Sequence, residues 1–294
     1  MSLAAASSGI CVSFGTNLRK DQQMICEHAP LTTRRLPFGV AVLGGPTTVV
    51  DIGGHRLICD PTFDPPTDYG YLQKLAGPAA DESAVGDVDV ALVSHDLHPD
   101  NLDVAGRAFA LSAPVLLTTA TAATRLGAPS VPLAPWTTWE SPDGLAITAV
   151  PARHGPADGE LNEEGFVNCE VIGFVVTAPD SPTVYLSGDN ASVEIVREIR
   201  EIREIRERIG GIDCAVLFAG SASVPAKFDG RPLSLTAERA AAAAEVLGSP
   251  HVVVAHQDGW AHFRQGAADT AAAFHAAGIG DRLCSAPLGH MCAI

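Results

Sequence analysis

Apolar residues in this chain come in short runs separated by turn-forming residues, the spacing expected of alternating strands and helices. Val40 to Leu43 and Thr47 to Ile52 are rich in β-branched residues, Gly53-Gly54 reads as a two-residue hairpin turn, and Arg56 to Asp60 returns as the partner strand. Val88 to Val93 predicts a buried strand. Leu102 to Leu111 follows with helical spacing, and the carboxylates of Asp100 and Asp103 favour a helix start there. Further strands are expected at Pro114 to Thr119, Gly144 to Val150, Val171 to Thr177, Thr183 to Ser187, Ala215 to Ala219 and His251 to Ala255. Helices are expected at Thr121 to Leu126, Thr236 to Leu247 and Ala267 to Ala277. Residues 197–208 repeat with a period of three, and Ile195, Ile199, Ile202, Ile205 and Ile209 share one broad face. That predicts a surface helix whose Arg and Glu side chains pair along its length. Residues 1–37 carry no such pattern and are read as an arm, flexible or loosely packed, ahead of a domain spanning 38–294.

Several of these runs stop at a side chain able to bind a cation. The strand ending at Val93 leads into SHDLHPDNLD, which offers imidazole nitrogens from His95 and His98, carboxylate oxygens from Asp96 and Asp100, and the amide oxygen of Asn101. His154, Asp189 and His256 each follow the end of a later strand. Singly, each has an ordinary explanation, because histidines and aspartates are common where a strand gives way to a solvated loop, and Gly188-Asp189-Asn190 is a frequent turn sequence. Together they form a candidate metal site.

The ordered set VVDIGGHRLICDPTF, SHDLHPDNLD, PARHG, YLSGDN and VVVAHQDGWAHF, lying between about Phe38 and Gly289, resembles the metallo-β-lactamase fold superfamily. Within it, the branch around ascorbate-6-phosphate lactonases and related metal-dependent hydrolases is the nearest likeness. The resemblance implies an α/β fold, a four-layer αββα sandwich with metals in a cleft at the strand ends. It assigns His95, His98 and His154 to a first divalent ion, Asp100 and His256 to a second, with Asn101 as an added donor, and Asp189 to both. The family loop reads HxHxDH, and this one departs from it twice. His95 stands one residue further out, so the loop must bulge, and Asn101 replaces the histidine that completes the second position. An amide oxygen is a poorer donor than imidazole for zinc, so the second position should bind more weakly or favour a harder ion such as manganese.

Composition narrows the partners more than the fold. The chain has 294 residues, 34 acidic against 19 basic, for a formal charge of −15. Such a balance repels nucleic-acid backbone and anionic membrane unless a basic patch intervenes, and none is evident. No apolar run approaches the length of a membrane span. The seven cysteines show no CxxC pair and sit in apolar contexts, which suits reduced thiols in a cytoplasm, and none is assigned as a ligand. The start MSLAAASSGI lacks a secretory signal's basic and apolar regions, which argues for a cytoplasmic protein.

The function these readings imply is hydrolysis of an ester-like bond, a lactone or a phosphoester, in a small molecule, using one or two divalent ions, zinc or manganese, to activate water. Asp100 would orient the attacking group. His262 would contact substrate or protonate the leaving group, and Trp260 would either line the pocket or pack in the core. Two alternatives stand beside this: a phosphodiesterase acting on phospholipid or nucleic acid, and a catalytically degenerate descendant that binds a metal or metabolite. Subunit number is left open, with self-association into a homo-oligomer allowed.

Overall fold

The computed structural model describes residues 27–201 and 210–293. The first 26 residues of the expected arm, and Ile202, Ile205 and Ile209 of the periodic helix, lie outside the described residues.

Two mixed sheets face each other. The first runs, edge to edge, β1 (Glu27–Pro30), β16 (His290–Ala293), β2 (Phe38–Gly44), β3 (Thr47–Ile52), β4 (His55–Cys59), β7 (Val90–Val93), β8 (Val115–Thr118) and β9 (Ser130–Pro132). The second runs β10 (Thr138–Glu140), β11 (Ala146–Pro151), β12 (Ile172–Thr177), β13 (Val184–Leu186), β14 (Cys214–Phe218) and β15 (His251–Ala255). In each, antiparallel pairs give way to parallel ones, from β4 onward in the first and from β13 onward in the second. A two-stranded ribbon, β5 (Thr67–Asp68) with β6 (Gln73–Lys74), lies apart.

Because successive side chains on a strand point to opposite faces, a strand buried on both sides feeds two cores. Val90 and Leu92 of β7 join Val216 and Phe218 of β14 in the core between the sheets. Ala91 and Val93 turn the other way, toward Ala110 of α2 (Val104–Ser112), in a core that also takes Val85 of α1 (Glu82–Val85) and Leu126 of α3 (Ala120–Leu126). Ala215 and Leu217 of β14 pack outward against α4 (Val193–Glu201), α5 (Ala237–Leu247) and α6 (Ala267–Ala276), through Val196, Ala244 and Phe274. Three cores between four layers make the αββα sandwich expected from the sequence.

Among the described residues no helix is long and apolar enough to cross a membrane. Two expectations need correction. The stretch from Glu27 is part of the first sheet, where β1 pairs with β16, and Arg35 bridges to Asp89 at 2.7 Å. Cys284 and Cys292 are joined in a disulfide, not left as reduced thiols, because β16 carries Cys292 back past the segment after the last helix, where Leu283 and Cys284 run beside Val252 of β15. A spacing of eight residues in sequence gave no sign of that approach.

Candidate metal centre

Residues just beyond the ends of several strands converge at one rim. β4 delivers Asp60, β7 delivers Ser94 and His95, β13 delivers Asp189 and β15 delivers His256, while β11 leads through Arg153 to His154. Two glycines allow the approach. At Gly188, with φ +54°, a Cβ would lie 2.7 Å from the Ile172 carbonyl oxygen and 2.9 Å from Ser94 Cβ, so only glycine lets the two sheets close at this point. At Gly220 a Cβ would fall 1.9 Å from the carbonyl oxygen of His256, whose own φ of 61° lies in the left-handed region. That strained residue is held by a 2.6 Å hydrogen bond from its N–H to the Gly45 carbonyl.

His95, His98 and His154 come together through specific ring atoms. His95 Nε2 stands 2.9 Å from His98 Nδ1, and His154 Nε2 stands 3.1 Å from the same atom. The other nitrogens are engaged behind. His154 Nδ1 donates to the Leu233 carbonyl at 2.9 Å, which leaves its Nε2 bare. Ser94 Oγ donates to Asp60 Oδ2 at 2.6 Å and so can accept from His95 Nδ1 at 3.1 Å, leaving that Nε2 bare as well. His98 Nδ1 carries at most one proton for these two bare lone pairs, so at least one of them is left unsatisfied unless a cation sits among the rings, and the donor set fits a divalent ion. Burial pushes the His95 imidazole well below its usual range, helped by His154 and His98, and burial takes His98 and His154 down to about 4. All three are therefore neutral ligands at neutral pH. The one-residue bulge in the loop is taken up by Asp96 and Leu97: Asp96 turns away to ion pair with Arg125 and Arg107, and Leu97 is exposed.

A second cluster adjoins the first. His256 Nε2 lies 3.3 Å from both Asp100 Oδ2 and Asp189 Oδ1, but is not aligned to donate to either. Asp100 Oδ1, Asp189 Oδ2 and both ring nitrogens of His256 are buried with no hydrogen-bond partner. So many orphaned polar atoms around one point also fit a cation. The His256 ring is clamped between Phe218, parallel to it at 5.6 Å, and Phe263 at 4.1 Å. Burial and the charge of Asp100 raise the Asp189 carboxyl, whereas for Asp100 itself burial is outweighed by His256 and His262, which hold it well below the usual carboxylate range.

The structure adds to the expectation at Asn101 and decides between two at Trp260. Asn101 Nδ2 donates to Asp60 Oδ2 at 3.1 Å and to Asp189 Oδ1 at 3.2 Å. With carboxylates on both, only the NH₂ end can face them, so Asn101 ties Asp189 to Asp60, while its Oδ1, the oxygen donor the sequence suggested, is buried with no hydrogen-bond partner. Trp260 is 3% exposed, stacked on Tyr69 at 5.7 Å and edge-on to His262 at 6.1 Å. It braces His262 from behind and does not line the cleft. His262 does reach the cleft, with Nε2 donating to Asp100 Oδ2 at 2.9 Å.

Three residues at the site were given no role by sequence. Asp60 is fully buried, takes hydrogen bonds from Ser94 and Asn101, and is nonetheless pushed up to about 7 by burial. The signal was there: it ends a strand exactly as the assigned ligands do. Lys227, in the loop after β14, lines the cleft together with Tyr71, Leu72, Val224, His98 and His154, and Cys169 lies beside the three imidazoles. Neither stands at a strand end, so no sequence pattern pointed to them. A third grouping, His28 with Cys284 and Cys292, has no thiolate to offer, since its sulfurs are bonded to each other.

Comparison with known proteins gives the site its context. No curated protein matches the chain. Among solved structures, an isothiocyanate hydrolase from Delia radicum gut bacteria has a TM-score of 0.71 at 19% identity, covering 87% of this chain and 99% of that one. A possible metal-dependent hydrolase from Veillonella parvula DSM 2008 has a TM-score of 0.71 at 16% identity, covering 86% and 98%. Igni18, a metallo hydrolase from Ignicoccus hospitalis KIN4/I, has a TM-score of 0.59 at 17% identity, covering 86% and 97%. At these identities the likeness is one of fold. The model of the beta-lactamase superfamily domain matches residues 55–257, a span that holds His95 through His256, and the chain belongs to that superfamily.

Proposed function

We propose that the protein is a metal-dependent hydrolase that attacks an ester-like bond, a lactone or a phosphoester, in a small molecule. The observation that carries this reading is the pair of adjoining clusters, one of three converging imidazoles and one of orphaned carboxylate and imidazole atoms, opening on a single cleft. His95, His98 and His154 would hold a first ion, Asp100 and His256 a second, with Asp189 between them. Divalent ions so held would lower the pKa of bound water to about 7 and stabilise negative charge that develops on the substrate.

The chain's own side chains supply the rest. Asp100 accepts from His262 Nε2, which holds that imidazole at the cleft edge, where it can pass a proton to a departing oxygen. Lys227 brings a positive charge to the cleft lining, suited to a carboxylate or phosphate on the substrate. Tyr71, Leu72, Val224 and Leu233 provide an apolar surround that fits a small molecule better than a polymer.

The test is a substrate panel on metal-loaded protein: lactones, phosphomonoesters and phosphodiesters, a phospholipid, and an isothiocyanate, since one structural neighbour is named for hydrolysing that group. Turnover of a small ester, abolished by chelator and restored by zinc or manganese, is expected. Stoichiometric metal with no turnover of any substrate would favour the degenerate binding protein.

A further inference from the structure

We infer that Cys169 is a fourth protein ligand of the first position, so that this position is a three-histidine, one-thiolate site selective for soft divalent ions. The inference rests on the metal-dependent reading above and extends it to a residue that the superfamily loop motif does not contain.

The sulfur of Cys169 and the ligand nitrogens of His95, His98 and His154 all lie within 4.8 Å of one another. Among the described residues, three cysteines are outside the disulfide, and they differ in surroundings. Cys59 and Cys214 belong to the core between the sheets, where a thiol serves as a small apolar side chain. Cys169 belongs to none of the three cores.

It is held in place by polar contacts on both sides. Asn168 N donates to the carbonyl of His154 at 3.2 Å, and Lys227 Nζ donates to Asn168 Oδ1 at 3.3 Å. On the other side, the Glu170 carboxylate takes hydrogen bonds from both the N–H and the hydroxyl of Thr121, at 3.1 and 2.5 Å. The chain is thus anchored before and after Cys169, with the sulfur beside the imidazoles.

Thiolate and imidazole together are a zinc donor set, and four protein ligands close a site that three would leave open. Metals that prefer oxygen, manganese and magnesium among them, gain little from sulfur. The two positions then differ in kind. The first anchors a soft ion, and the reacting side of the centre is the carboxylate-rich second position, where His262 stands.

Cobalt(II) loaded into the metal-free full-length chain tests this. A thiolate ligand gives a near-ultraviolet sulfur-to-cobalt charge-transfer absorption, separate from the visible bands that any bound cobalt shows. The expected result is that absorption in the native chain, its loss in Cys169→Ser with visible bands retained, and its persistence in Cys59→Ser. Zinc affinity of Cys169→Ser should fall at least about tenfold while manganese affinity holds. X-ray absorption on the zinc-loaded native chain needs no variant and should show one sulfur at about 2.3 Å among lighter neighbours at about 2.0–2.1 Å. Visible cobalt bands without charge transfer, no sulfur neighbour, or charge transfer surviving in Cys169→Ser would overturn the thiolate ligand and leave the hydrolase reading intact. Failure of cobalt and zinc to bind at all would overturn both.

Discussion

His262 Nε2 stands 2.9 Å from Asp100 Oδ2, so a candidate proton donor and a candidate metal ligand share one hydrogen bond across 162 residues of sequence. His262 is nearly buried, with Trp260 edge-on to its ring and Phe263 at 4.6 Å. Its position is therefore set by packing and does not depend on a bound ion. Replacing it with Gln keeps a donor of similar reach but removes the imidazole that would carry a proton to the leaving group. His262→Gln should lower kcat by about 10²- to 10⁴-fold with metal content unchanged, as read by steady-state kinetics beside metal analysis of the same sample.

Asn101 joins Asp60 to Asp189 through one amide nitrogen. Asn101→Asp changes little in shape but removes both donors and sets a third carboxyl between the other two. We expect the metal-free variant to lose about 1–3 kcal/mol of stability and to regain more of it than the native chain when zinc or manganese is added. Thermal unfolding with and without metal measures both, and equal metal-induced gains in the two proteins would sink the assignment.

Acid should destabilise the metal-free protein through the buried imidazoles. His98 and His154 are held down to about 4, against an ordinary value of 6.5, chiefly by burial. Between those values the unfolded chain binds protons that the folded one refuses, so folding stability is present in full above pH 6.5 and is lost as pH falls toward 4. Denaturant melts of the metal-free chain across that window should show the decline, and His98→Gln should flatten it.

Gly220→Ala should be severe for one geometric reason, the 1.9 Å approach of the new Cβ to the His256 carbonyl oxygen. The backbone must shift where His256 already holds a left-handed conformation, at a cost of about 3 kcal/mol. Unfolding measurements should record that loss, and the second position should lose metal before the first, because His256 moves and His95, His98 and His154 do not.

Where each strand begins and ends was largely legible in the chain, because burial on one or two faces leaves a local record in apolar spacing. The β3–β4 hairpin, the buried strand before His95 and the alternation of β14 needed nothing beyond neighbours in sequence. Strands β1, β9, β10 and β16 left less trace, since they are short or lie at or near a sheet edge. The candidate ligands were legible too, as polar residues that interrupt an apolar run at the same point of each strand.

What the chain could not disclose is which polar groups meet across the two sheets. That the Asn101 amide nitrogen joins Asp60 to Asp189, and that Trp260 packs under Tyr69 and does not line the pocket, the other of its two expected places, emerged only from the fold. Lys227 and Cys169 sit in loops with no periodicity, and their place beside the imidazoles follows from how those loops cross the rim. Local sequence records how a residue is buried, because that depends on the period of its own segment. Partnership between side chains from distant segments depends on the register and closure of whole sheets, and only the tertiary structure decides it.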